Sequence, residues 1–487
     1  QLPLAVMAAL ALKRSVRVTL TRQQMFTFGY RPRTSQRVRL GADAEGRLLA
    51  IGHDATGQTS RFEDFTEHLV EWSGMLYRCD NVALSYRLVP LDVYTPLDMR
   101  APGAASGVIA LEGAMDELAC AAGIDPLQLR RVNFADSNGN EGEPYSSKAL
   151  LACYDQGAER FGWSQRNPVP RSMREGRELI GWGVAGGVWE AMQMKASAKA
   201  RIDATGQLTV SSATTDIGTG TYTVMTQIAA DAAGVMPQDV TFVLGDSSLP
   251  TAPLQGGSFT VSSVGSAVRQ ACQILRTQIL EALRRQHPEV ATVPVEQIGY
   301  GDGFVHAGDQ RFSIAEVVAG CEDGSLEVQV DAEPSSKRSG FATATHSAVF
   351  VEVRVDEDLG TIKVSRVVSA VAAGRVINPK TAQSQLLGGV VWGLGMALQE
   401  DTLTDHNLGR FMNHSLAEYH IPVHADIREI DAFFVEEEDD IVNDLGSKGV
   451  GEIGIVGTVG AIGNAIWHAT GTRVRHFPIG IEDLLAG

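Results

Sequence analysis

Glu452 lies in the stretch GSKGVGEIG (446–454), a carboxylate with glycines on both sides. Glycine lets a chain turn tightly and approach a ligand closely. Such an acid is suited to work as a general base, or to sit at a helix start as a cap or dipole partner. Residues 449–454 also fit G-x-G-x-x-G. The preceding EEEDDIVNDLGSK makes a poor buried strand, however, and no acid stands near 471–475, so a dinucleotide-binding turn lacks its context. Two further small-residue loops, TTDIGTGTYT (214–223) and QGGSFTVSSVGSA (255–267), run into helical patterns. Both could cradle an anion with backbone N–H groups or could be ordinary capped turns. Arg100 sits in a Pro/Gly-bracketed turn, PLDMRAPGAASG (96–107), as a site residue or a surface arginine. There is no G-x-S-x-G elbow, and Pro422 between His420 and His424 rules out a zincin helix pair.

The elements that must position these residues are partly readable. Helices are expected over 106–123, 221–234, 262–286, 381–400 and 457–471, with a short one capped by Asp125-Pro126. QLPLAVMAALALKR reads as a helix with Pro3 in its first turn and Leu4, Met7, Leu10 and Leu12 near one face. Three segments, 40–50, 201–210 and 354–364, share alternating apolar residues on both sides of an acidic, glycine-containing turn. They predict antiparallel hairpins and an α+β fold rather than a doubly wound sheet. The polar, proline-rich 162–179 segment is the expected domain boundary, dividing 1–160 from 165–487.

The 487 residues carry a formal net charge of -17, which excludes wholesale binding to nucleic acid or anionic lipid. No apolar run is long enough for a membrane span. The acidic run Glu436–Asp440 reads as a solvated loop. Five scattered cysteines contain no C-x-x-C, so no iron–sulfur cluster or structural zinc is expected within the chain, and a reducing compartment suits them.

Taken in order, DMRAPG, DIGTGT, GGSFTVSS, INPKTAQSQLLGGVVWGLG and GSKGVGEIG resemble the molybdenum-binding subunit of the xanthine oxidase family of molybdenum hydroxylases, most closely the bacterial aldehyde oxidoreductase type. The resemblance implies the α+β molybdenum-cofactor-binding domains of that family, with antiparallel hairpins and helices preceded by Gly-rich loops. It implies Glu452 as the catalytic base. Arg100, Gly218, Thr219, Gly220, Gly257, Ser258, Phe259, Thr260, Gln385 and Gly451 would bind a molybdopterin, in its cytosine dinucleotide form. Molybdenum would be held through the pterin, with no protein ligand. His68, Pro102 and Trp189 would lie on the substrate side. His68 stands where purine-oxidising members place an arginine, which favours an aldehyde over a purine. The 96–104 loop lacks the cysteine of carbon monoxide dehydrogenases.

The same resemblance implies [2Fe-2S] and FAD centres on separate iron–sulfur and flavin subunits. It also implies an N-terminal part of the molybdenum subunit preceding Gln1, without which the isolated chain is expected to be inactive. The expected reaction oxidises an aldehyde to a carboxylic acid with oxygen from water. Hydroxylation of an N-heterocycle, or a non-catalytic cofactor-binding role, are the alternatives. The expected location is cytoplasmic, or periplasmic through a partner subunit.

Overall fold

The computed structural model describes residues 1–485. Its centre is a five-stranded sheet in the order Glu429–Phe434, Ile362–Ala372, Ala344–Asp356, Glu178–Glu190, Arg174–Glu175. The first pair is parallel and the others antiparallel. Both faces of this sheet are covered, so its middle strands read as almost unbroken apolar runs rather than alternating ones. Phe350 and Val368 point to the side of the Leu150–Phe161 helix. Val349, Val351 and Val353 point the other way, onto the Thr458–Thr470 helix. Gly183 explains how that helix sits so close: a Cβ there would lie 2.2 Å from the Ala461 carbonyl oxygen. The Glu178–Glu190 strand and the helix therefore meet backbone to backbone.

Two smaller sheets flank the centre. One, of three strands, contains Thr34–Ala42, Leu48–Ser60 and Val82–Leu91. The other, of four, contains Ala196–Asp203, Leu208–Ser211, Val240–Val243 and Ser325–Ala332, and packs on the helices Thr221–Ala233 and Ser266–Gln286 around its own apolar core. Each of the three expected hairpins is present, one in each of these three sheets. The main core joins residues from both sides of 162–179, including Leu111, Tyr154, Phe350 and Ile453.

The expected helices form as Ala104–Ala122, Pro126–Val132, Thr221–Ala233, Ser266–Gln286, Pro379–Leu398 and Thr458–Thr470. The Ser266–Gln286 helix is preceded by a π-helical turn, Val261–Gly265, instead of being α-helical from residue 262. Leu150–Phe161 is an additional helix, buried through Leu150, Cys153, Tyr154, Gly157 and Phe161. The Leu2–Leu12 helix also forms, but none of its residues is buried, and only Ala5, Ala8 and Ala9 are partly covered. No helix among the described residues is long and apolar enough to cross a membrane.

The acidic run departs from expectation. Glu436, Glu438 and Asp440 face solvent, while Glu437 and Asp439 turn inward to the buried Lys448 ammonium at 3.1 and 3.4 Å. Two carboxylates can enter the interior only because a cation and several donors meet them there, and nothing in the local sequence announces those partners.

Candidate functional site

Glu452 does not cap a helix. Residues 451–457 form turns, and the helix that follows starts at Thr458 with Gly457 as its cap. The residue is half-buried, and its carboxylate is held by a neighbouring loop instead. Ser258 Oγ donates to its Oε2 at 2.6 Å. Burial pushes the Glu452 pKa up; the Ser258 bond, the Ala101 N–H and the Arg100 charge pull against that shift, and Asp98 adds to it. Burial wins, so the acid sits above the ordinary carboxylate range, as expected for a base tuned towards neutral pH.

Ser258 has φ 61, a left-handed backbone that a side-chain-bearing residue rarely adopts, and so does Ala101 with φ 52. Ser258 touches the carboxylate through its hydroxyl, and Ala101 follows Arg100 in the turn beside it. Such strain gathers where the surroundings over-determine a functional geometry.

Arg100 ties three segments together. Its Nε donates to the Gly451 carbonyl and its second terminal nitrogen to the Gln385 carbonyl, both at 2.7 Å. The guanidinium lies 5.8 Å from the Trp392 ring centroid, a cation–π distance. The Arg100 carbonyl accepts from Arg31, whose guanidinium pairs with buried Glu67 at 2.8 Å; Glu67 in turn accepts the Gly103 N–H at 3.0 Å. It is the Arg100 side chain, more than its backbone, that orders the site here. A groove of about 2000 Å³, lined by Met99, Trp392, Arg31, Tyr30 and Phe411, lies beside this turn but is not lined by Glu452.

The Pro379–Leu398 helix runs past the acid at backbone contact. A Cβ on Gly389 would lie 2.5 Å from the Gly454 carbonyl carbon. Alanine in a helix normally stabilises by about 1 kcal/mol over glycine. Gly389→Ala is expected to do the reverse, costing about 1–3 kcal/mol through overpacking and displacing the Glu452 turn. Thermal unfolding checks this; an unchanged or raised Tm would contradict it.

The two small-residue loops converge on the same place. Ser258 bonds the acid directly, and Gly257 precedes it in the loop. Gly220 abuts Thr381, one helical turn before Gln385. Gln255 links the loops, bonding the Thr214 and Thr221 hydroxyls at 3.1 and 3.5 Å. Part of the 216–222 loop caps itself, because Asp216 accepts the Gly218 N–H at 2.8 Å and the Tyr222 N–H at 3.4 Å. The N–H groups of Thr219, Gly220, Gly257 and Ser258 bond no acceptor among the described residues. Nor does the Gln385 amide make a bond there, and a Cβ on Gly218 would meet open space. Two helices of 13 and 21 residues begin just beyond these loops. Free N–H groups at the positive ends of helices suit the phosphates of a nucleotide-tailed pterin, and the free amide suits a heterocycle. The residues present therefore fit that cofactor.

The remaining candidates divide. Pro102 belongs to the Arg100 turn, its carbonyl accepting the Ala104 N–H at 2.9 Å. Phe259 is buried beneath its loop and Thr260 leads into the π turn. The Trp189 indole is buried, stacked on Trp72 at 5.5 Å, and donates to the Gly257 carbonyl at 3.2 Å; it supports the Ser258 loop from behind. The His68 imidazole is exposed and pairs with Glu71 at 3.1 Å. The backbone of His68 is what approaches the site, passing against Gly103. Sequence reasoning did not single out Trp392, Lys448 or Thr345, whose hydroxyl donates to the Gly449 carbonyl at 2.8 Å; Trp392 and Lys448 lie within the quoted motifs, whereas Thr345 carried no local signal.

Two models described as molybdopterin cofactor-binding domains match residues 2–134 and 156–428. The chain is 39% identical over 491 residues to the aldehyde oxidoreductase molybdenum-binding subunit PaoC of Escherichia coli (strain K12), covering 99% of this chain and 64% of that one. It is 26% identical to the putative xanthine dehydrogenase molybdenum-binding subunit XdhA of the same organism, covering 95% and 63%. The chain thus spans slightly under two thirds of the length of these relatives. Among solved structures, quinoline 2-oxidoreductase from Pseudomonas putida 86 shares the fold with TM-score 0.88 at 23% identity, covering 99% of this chain and 65% of that one. Aldehyde oxidoreductase from Desulfovibrio desulfuricans shares it with TM-score 0.81 at 24% identity, covering 98% and 51%. The homologues are molybdenum-dependent oxidoreductases, and the chain belongs with them to the molybdopterin cofactor-binding family, being similar to molybdenum-binding subunits of the xanthine dehydrogenase and aldehyde oxidoreductase type.

Proposed function

We propose that this chain forms the catalytic part of an aldehyde oxidoreductase, in which an aldehyde and water become a carboxylic acid with release of two electrons and two protons. The observation that carries the reading is the desolvated Glu452 carboxylate, held by Ser258 beside unbonded N–H groups that suit an anionic cofactor. The higher identity to PaoC than to XdhA, and a histidine rather than an arginine at position 68, favour the aldehyde over a purine. Bound molybdopterin, in its cytosine dinucleotide form, supplies the two-electron acceptor. Gly218, Thr219, Gly220, Gly257 and Ser258 hold its anionic tail, and Gln385 the pterin. Phe259, Thr260 and Gly451 shape the pocket around it.

Glu452 takes the proton as the water-derived oxygen attacks the carbonyl carbon. Its carboxylate form is retained by Ser258, and its neutral form is eased by burial, so it can cycle between the two. Arg100 keeps the 451 turn, the Pro379–Leu398 helix and its own turn in fixed register through two carbonyls. Pro102 and the His68 backbone border the substrate side, with Trp189 supporting the Ser258 loop from behind. The rest of such a subunit's length, an iron–sulfur subunit and a flavin subunit are the proposed partners, in the cytoplasm. We also propose 1–160 and 165–487 as the two cofactor-binding domains.

The test is molybdenum content with dye reduction by benzaldehyde, measured on the holoenzyme that contains this chain. Stoichiometric metal and turnover support the reading; bound nucleotide without metal or turnover removes it. The pH dependence gives a further check. The basic form of Glu452 does the work, and burial holds its pKa above the usual carboxylate value. kcat/KM should therefore fall as pH drops through that raised value and level off above it. A profile that stays flat across the acid range would remove Glu452 as the base.

A further inference from the structure

We infer that Lys448 is a positioning residue for Glu452, anchoring the acid's loop through a closed ring of buried charges; the inference rests on the functional reading above. The Lys448 side chain is fully buried, and its ammonium meets Glu437 Oε1 at 3.1 Å and Asp439 Oδ2 at 3.4 Å. It also donates to the Ser147 hydroxyl at 2.6 Å and the Ser147 carbonyl at 3.2 Å. Ser147 Oγ passes its own proton towards Glu437 Oε1 at 2.9 Å or Asp439 Oδ2 at 3.0 Å. Ser146 Oγ donates to Asp439 Oδ2 at 2.6 Å.

The carboxylates reach further. Glu437 accepts the N–H of Gly374 at 2.9 Å and of Ala149, at the start of the Leu150–Phe161 helix, at 3.1 Å. Asp439 Oδ1 accepts the N–H groups of Ile441 and Val442 at 3.0 and 2.9 Å. One lysine thus fastens the 146–149, 373–375, 437–442 and 446–449 segments to one another, with the backbone bond from Lys448 N to Ala373 O at 3.0 Å adding to the grip.

From this ring the restraint runs along the chain to the reaction centre. Thr345 Oγ1 donates to the Gly449 carbonyl at 2.8 Å. A Cβ on Gly449 would lie 2.5 Å from Ser258 Cβ, so the loop rests against the residue that bonds Glu452. Charge-assisted bonds of fixed direction suit the role, because a general base must be held within hydrogen-bond reach of its proton.

Removing Lys448 alone would strand two carboxylates in the interior, so loss of folding in that variant would be uninformative. The test is the triple variant Lys448→Met, Glu437→Gln, Asp439→Asn in the holoenzyme, which takes away all three charges with little change of shape. Amides 449–454 are expected to exchange hydrogen at least about tenfold faster. kcat is expected to fall about 10- to 100-fold with the aldehyde KM unchanged, as a misplaced base requires. If the triple variant does not fold, Thr345→Val, which cuts the next link, is expected to show the same pair of changes. Wild-type exchange at 449–454, or a wild-type kcat, in the folded variant overturns the inference. The exchange measurement does not depend on turnover. A wild-type protein without aldehyde activity would therefore sink the functional reading while leaving the anchor still tested.

Discussion

Replacing Glu452 by glutamine is expected to cut turnover by about 10²–10⁴-fold, the contribution typical of a positioned general base, while the protein keeps its cofactor and its fold. Glutamine preserves the acceptor for the Ser258 hydroxyl, and Arg100 retains its bonds to the Gly451 and Gln385 carbonyls, neither of which involves the acid. What disappears is the capacity to take a proton. The stability consequence follows from the direction of the pKa shift. A carboxyl whose folded pKa is raised binds more protons in the folded state than in the unfolded one. Its favourable contribution is present below the unfolded value and is lost as pH rises through the folded value. At neutral pH and above, the buried charge therefore weighs against folding, and Glu452→Gln should leave Tm unchanged or raise it. Molybdenum analysis, steady-state kinetics and a thermal melt at pH 8 check the three parts. Normal turnover in this variant would end the assignment of Glu452 as base.

The largest loss of stability is expected from Arg130→Met. Arg130 and Glu112 are both wholly buried and paired at 2.6 Å. Arg130 Nε adds a bond to Glu112 Oε2 at 2.7 Å, and its remaining donors meet the Pro126 and Glu112 carbonyls. Tyr77 donates to the other Glu112 oxygen. Taking away one partner leaves an uncompensated charge in the interior, which costs about 3–5 kcal/mol. The loss should reach the site as well, because Glu112 lies on the Ala104–Ala122 helix, which opens directly from the Arg100 turn. The Glu112 carbonyl also accepts from Asn464 on the Thr458–Thr470 helix at 3.2 Å. A double variant, Arg130→Met with Glu112→Leu, removes both charges and should recover much of the loss. Urea midpoints of the three proteins provide the measurement. A single variant as stable as wild type would show that the pair is not a structural requirement.

Much of the local structure was legible in the sequence because its causes are local. Asp125 caps the Pro126–Val132 helix by accepting the Leu127 and Gln128 N–H groups, an interaction between residues two and three positions apart. The hairpins at 40–50, 201–210 and 354–364 declare themselves through turn chemistry between alternating strands. The Leu150–Phe161 helix carries a readable stripe at 150, 153, 154, 157 and 161 and ends on a left-handed Gly162, so its signal was local too.

The sequence by itself determined the α+β class, the helices with their entry loops, and the presence of a carboxylate between glycines at 451–454. Only the tertiary structure decided what that carboxylate meets. Ser258 lies 194 positions away in the chain and the Arg100 bond to Gly451 spans 351. The inward turn of Glu437 and Asp439 depends on Lys448 and on serines some 290 positions distant. Hydrophobic periodicity records which side of an element is covered, and turn residues record where it stops. Neither records which distant polar group will supply the missing hydrogen bond once water has been displaced, and it is the balance of burial against that pairing that tunes the Glu452 carboxyl.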